Sequence, residues 1–163
     1  MGGDLSIEGL AAERQAPEKY CPSAQPDMVG AVAFGIVGGS AEHPLVSYLD
    51  RPQPVTPELL ALAKPVEPTE VFRFAAPCAK DACQHFDGAN CQLARKLAQN
   101  MPSPIHRLPP CRLRPSCRWW HEQGPLACFR CPLVVTTDYG AAAELRDAAD
   151  PSTTMRIDPN GRW

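Results

Sequence analysis

Seven of the eight cysteines in this chain of 163 residues fall between Cys78 and Cys131. That crowding constrains the fold more than any other feature. The spacing runs Cys78-x4-Cys83-x7-Cys91-x19-Cys111-x5-Cys117-x10-Cys128-x2-Cys131, and Cys21 stands alone upstream. The start of the chain, Met1 to Glu8, has no basic residue and no apolar run, so no secretory signal is expected there and a cytoplasmic location follows. No stretch reaches the roughly 20 apolar residues of a membrane helix. Cytosolic thiols stay reduced, so clustered cysteines point to metal or redox chemistry rather than static disulfides.

The spacing also weighs one metal against another. Structural zinc sites usually show two short Cys pairs. Here only Cys128-x2-Cys131 is short, and Pro132 follows it as proline follows a ligand in bacterial ferredoxin motifs. Uneven gaps suit a larger object, so the expected cofactor is an iron–sulfur cluster of the 4Fe–4S kind, one or two, with zinc as the alternative. Cys111, Cys117, Cys128 and Cys131 would hold one site. Cys78, Cys83 and Cys91 would hold another, with Cys21 or His85 as fourth ligand. Trp119 and Trp120 would screen a cluster from water, and Arg112 and Arg118 would offset its charge. The segments Cys83-Gln84-His85-Phe86-Asp87-Gly88 and Cys111 to Trp120 loosely resemble small cysteine-rich domains that chelate zinc or iron, over about a third of the chain and with different spacing, and no function is carried over from the resemblance.

Charge adds a second constraint. The whole chain carries a net charge of −2, yet the span 78–131 holds eight Lys and Arg against three Asp and Glu. The cysteine region is a basic island in an acidic chain. Such a patch suits an acidic partner or nucleic acid, but more simply it compensates thiolate charge. A protein partner, a redox enzyme or complex, is expected ahead of nucleic acid, and no membrane.

Turn chemistry and periodicity supply the fold. Val29 to Val37 is small and β-branched, Gly38-Gly39-Ser40 breaks it, and Leu45 to Leu49 alternates, which predicts a hairpin. Thr56 and Pro57 open a short helix that Pro65 ends. Thr69 to Phe74 predicts a third strand. Asp87 or Asn90 caps a helix to Met101 whose inward face carries Cys91, Ala94, Leu97, Ala98 and Met101. A further helix spans Pro115 to Gln123 with Gly124 as its stop, and Leu133 to Thr137 is a last extended segment.

The expected fold is therefore a small α+β domain in which a hairpin-and-helix layer packs on a cysteine-rich, metal-ligated helical region. Residues 1–20 form a flexible arm, 21–137 the domain and 138–163 a mostly disordered tail, with a short helix at Ala141 to Ala149. No nucleophile elbow, phosphate loop or dinucleotide fingerprint occurs. The expected function is an iron–sulfur protein in electron transfer, or an accessory of a redox or biosynthetic enzyme. Two alternatives are a zinc-stabilised module for a protein or nucleic-acid partner and a catalytic metal site with an open coordination position.

Overall fold

The structure is a computed structural model that describes residues 18–40, 42–134 and 143–152. Residues 1–17 of the arm expected over 1–20 and much of the tail expected over 138–163 lie outside them, as do Val135, Thr136 and Thr137, whereas Tyr20, expected in the arm, belongs to the first strand.

Four strands form one antiparallel sheet in the order β1-β4-β2-β3. β2 (Val32–Gly39) and β3 (Pro44–Pro54) are the hairpin that the sequence predicts, with Gly38 opposite Leu45 and Ile36 opposite Ser47. Its turn needs glycine at position 39. Gly39 has φ +76°, and a Cβ there would collide with the His43 carbonyl oxygen. β4 (Phe72–Pro77) pairs with β2 on one side and with the two-residue β1 (Tyr20–Cys21) on the other.

Two short helices precede β4. In α1 (Pro57–Ala61), Thr56 is the N-cap, its Oγ1 accepting from the Leu59 amide at 3.2 Å. α2 (Pro68–Val71) takes residues expected in a strand. Pro68 suits the first helical position, and Glu67 and Glu70 close a reciprocal capping box around that turn.

β4 is buried along nearly its whole length because both faces are covered. Strand alternation puts Phe72 and Phe74 on one face, in a cluster with Ala33, Ala63 and the flanking Leu59 and Leu60. Ala75 joins the other face, in the main core with Phe34, Leu93, Ala94, Leu97, Met101, Leu113 and Trp119. The cysteine-rich region packs there. It comprises α3 (Gln92–Asn100), α4 (Arg118–Gln123) and α5 (Pro125–Cys128), with 3-10 turns at Lys80–Ala82, Arg114–Ser116 and Cys131–Leu133. Leu133 therefore sits in a turn, not in the extended segment expected of it, because Pro132 favours a helical φ there. α6 (Ala143–Ala149) packs on α3 through Ala148 and Leu145, and the buried Lys96 ammonium donates to the Asp150 carbonyl at 2.7 Å.

The small α+β expectation is met: one sheet and several helices. Among the described residues no helix is long and apolar enough to cross a membrane.

Candidate ligand pocket

The sheet contributes three side chains to the face that meets the cysteine region. Phe34 comes from β2, Tyr48 from β3 and Arg73 from β4. Tyr48 lies opposite Gly35, so its ring reaches Phe34, with centroids 6.2 Å apart. Arg73 follows Phe72 by one residue, so it leaves the Phe72–Phe74 face and enters this one. Its guanidinium carbon lies 5.6 Å from the Phe34 ring centroid.

Arg73 is 1% exposed. Nη1 donates to the Cys131 carbonyl, Nη2 donates to the Pro22 carbonyl at 2.9 Å, and Nη2 also stands 3.4 Å from Cys131 Sγ. Nε has no partner. Among the described residues the ion pair is Arg118 with Glu122 at 2.5 Å, so Arg73 is a buried cation with no carboxylate beside it. Such a charge is costly to bury.

Against these groups lies a small pocket, partly open to solvent, with a cavity volume of about 20 Å³. Its walls include Phe34 and Tyr48 from the sheet, Leu113 and Trp119 from the helical region, and four thiols, Cys111, Cys117, Cys128 and Cys131. Local structure sets each thiol. Cys117 is the N-cap residue of α4, Cys128 ends α5, and Cys131 opens the turn after it.

Burial dominates the chemistry of these thiols. It pushes Cys117 up to about 12 and raises Cys111 and Cys128. Backbone N–H groups of Trp120 and Trp119 oppose the shift at Cys117, and Arg114 opposes it at Cys128. Tyr48 is pushed up too, first by burial and then by neighbouring Cys131.

Two side chains of the pocket wall carry buried donors, although the surface they present to the pocket is apolar. Trp119 is 2% exposed and its Nε1 is buried without a partner, as is Nε of Arg114. Arg114 also donates to the Pro109 carbonyl and lies over the Trp120 ring at 5.2 Å. Arg73 is not part of the lining but bonds two residues that are, Pro22 and Cys131, and the surface of the pocket is apolar with no carboxylate in its lining.

The other thiols lie elsewhere. Burial pushes Cys21 up to about 12, with smaller contributions from Cys91, Cys78 and Cys83, so these four are neighbours. Cys91 is pushed up to about 11, again mainly by burial. It caps α3 at its N-terminus and packs in the main core. Asp87 binds the amides of Ala89 and Asn90 in the loop before it. Arg118 is buried, pairs with Glu122 and lies 5.2 Å from the Phe86 ring centroid. His85 follows Cys83 by two residues, and its carbonyl accepts from the Gln92 amide at 2.7 Å. Burial first, then Lys96, hold the His85 ring below its ordinary value. Arg112 is exposed, and Trp120 is half-buried.

The metal expectation is overturned. Among the described residues no group of three or more His, Cys, Asp or Glu could hold a metal ion. Neither an iron–sulfur cluster nor zinc, as cofactor or as stabiliser of an interaction module, is supported, and no catalytic metal site with an open position is formed. Cys21, Cys78, Cys83, Cys91, Cys111, Cys117, Cys128, Cys131 and His85 therefore lose the ligand role expected of them. The physical reason is geometric: a metal site needs several donors converging on one point, and among the described residues the fold brings no three of them together in that way. With no cluster to screen, Trp119 is core and pocket wall, and Arg118 is the partner of Glu122. The spacing argument missed Arg73 and Tyr48 altogether. The one available signal was an arginine between two phenylalanines in Phe72-Arg73-Phe74.

Searches against protein-family models, curated proteins and solved structures find no match, so the functional reading rests on the residues of this chain.

Proposed function

We propose that the protein binds a small organic molecule with an apolar body and one anionic acceptor group, in the pocket lined by Cys111, Cys117, Cys128 and Cys131. The observation that carries this reading is a set of buried, unpaired donors next to that pocket: Trp119 Nε1 and Arg114 Nε on side chains of its wall, and Nε of Arg73, which reaches the wall residue Cys131 through Nη2. A buried donor without an acceptor costs about 1–3 kcal/mol, and more when charged. A carboxylate supplies acceptors only, in numbers that suit these donors, and its charge answers an arginine that has no carboxylate of its own. Phe34, Leu113 and the neutral thiols offer an apolar, polarisable wall to the rest of the molecule.

Thermal melting with benzoate, benzyl alcohol and benzylamine tests the reading. Benzoate should raise the melting temperature in a saturable way, and benzylamine should not. Arg114→Met should weaken benzoate about tenfold, which is about 1.4 kcal/mol. Equal shifts from all three compounds, or none from benzoate, would overturn it.

A further inference from the structure

Positive charge is unevenly spread along the chain. From Gln92 to His121 there are six Lys and Arg and no Asp or Glu. Two of the six are used inside the fold: Lys96 holds the Asp150 carbonyl, and Arg118 pairs with Glu122. Arg107 and Arg112 are exposed, and among the described residues neither has a carboxylate within ion-pair distance. With no metal–thiolate cluster to offset, these two charges face outward without a task inside the domain.

Local structure fixes where they stand. The Cys111 amide donates to the Pro109 carbonyl at 2.9 Å, and the Ser116 amide donates to the Leu113 carbonyl at 2.9 Å, which folds this stretch into consecutive turns. The turns are pinned to α4. The Arg114 guanidinium lies over the Trp120 ring at 5.2 Å, and His121 Nε2 donates to the Pro115 carbonyl at 2.8 Å. Arg112 is therefore carried on an ordered turn. Arg107 and the exposed Leu108 lead into it through Pro109 and Pro110, whose rings fix φ. The patch is cationic, carries one apolar side chain, and is largely ordered before a partner arrives, which lowers the cost of binding.

Two classes of partner carry the opposite charge. Affinity for nucleic acid grows with the number of phosphates neutralised, and single strands stack their bases on free aromatic faces. Here the free cations are few, Arg114 covers a face of Trp120, and that ring packs against the core. An acidic peptide needs only a few charges and gains from an apolar contact such as Leu108 provides between the two arginines. We propose that Arg107, Leu108 and Arg112 form a docking surface for an acidic segment of another protein that carries an apolar side chain among its carboxylates. None of the three lines the pocket, so this surface stands apart from the binding of small anions there.

The probe is a short fluorescein-labelled peptide, glutamate throughout with leucine at its centre, followed by anisotropy on the full chain. It should bind saturably at low salt and weaken as salt rises. Arg107→Gln combined with Arg112→Gln should weaken it about fivefold, and Leu108→Ser about threefold. Arg51→Gln combined with Lys64→Gln removes the same charge from other exposed positions and should leave the affinity within about twofold. All these positions are exposed, so melting temperatures should match the parent, and benzoate should still raise them in the Arg107 and Arg112 variant.

Absence of saturable binding at low salt would overturn the inference, as would equal binding of a peptide with glutamine in place of glutamate. Equal losses in the two double variants would reduce it to net charge. Tighter binding of an oligouridylate of matching charge would make the surface one for nucleic acid instead.

Discussion

Nη2 of Arg73 stands 3.4 Å from Sγ of Cys131, across 58 positions of sequence. The contact joins the middle of the sheet to the turn that follows α5. It also brings a cation into the core with Phe34 on one side and backbone carbonyls of Pro22 and Cys131 on the other. Carbonyl oxygens solvate the charge but do not neutralise it. A side chain kept in that state directly behind a pocket wall is a candidate for binding rather than for stability.

Arg73→Met tests that division. The change leaves two carbonyls without their donor, at about 1 kcal/mol each, and relieves a desolvated cation worth several kcal/mol. The unliganded variant should therefore be within about 2 kcal/mol of the parent in urea unfolding, or more stable. Its benzoate affinity should fall at least about tenfold. A loss of about 4 kcal/mol or more with benzoate affinity intact would assign Arg73 a structural role only.

Alkaline pH should weaken the fold. Cys21 and Cys117 are pushed up to about 12 and Cys91 to about 11, from an ordinary value of 9.0. Above pH 9.0 the unfolded chain releases these protons while the folded chain keeps them, so the unfolded state binds fewer and stability falls as pH rises. Their contribution is whole below pH 9.0 and is lost between there and about 12. Urea midpoints should drop over that window, and Cys117→Ala should flatten the drop. An unchanged slope in the variant would refute it.

Gly39 and Gly38 should respond in opposite ways to alanine. At Gly39 the positive φ and the His43 carbonyl oxygen, which a Cβ would strike, both resist a side chain. Gly39→Ala should cost about 2 kcal/mol or more. Gly38 has open space around it, and Gly38→Ala should lie within about 0.5 kcal/mol of the parent. Chemical denaturation of the two variants side by side decides it.

Leu97 is fully buried where α3 meets the main core. Leu97→Ala should cost about 3 kcal/mol through lost burial and the cavity left behind. Leu108, which is 41% exposed, should tolerate alanine within about 0.5 kcal/mol. Similar losses at both positions would contradict this placement of the core.

Elements whose signal is local were readable from the chain. Gly38-Gly39-Ser40 between two apolar runs announced the hairpin of β2 and β3. Thr56 and Pro57 marked the start of α1, and Gly124 marked the end of α4, where its φ is +60°. Periodicity placed Ala94, Leu97, Ala98 and Met101 inward, and all four are buried. These signals work because caps, turns and amphipathic faces need only neighbours within a few positions.

Features made by distant residues were not readable in this way. β1 is two residues long and exists because Tyr20 and Cys21 meet Pro77 and Ala76. The burial of Arg73 comes from a helical layer far downstream, and arginine carries no local preference for a core. Cysteine spacing showed which thiols share a stretch of chain, but the protonation of a thiol is set by the surface packed around it. Phe34, Tyr48, Leu113 and Trp119 reach the pocket from separate elements and exclude water there. Burial is a property of that assembled surface, which is why the spacing suggested metal ligands and the folded chain presents separate thiols, one of them beside an arginine with no carboxylate partner.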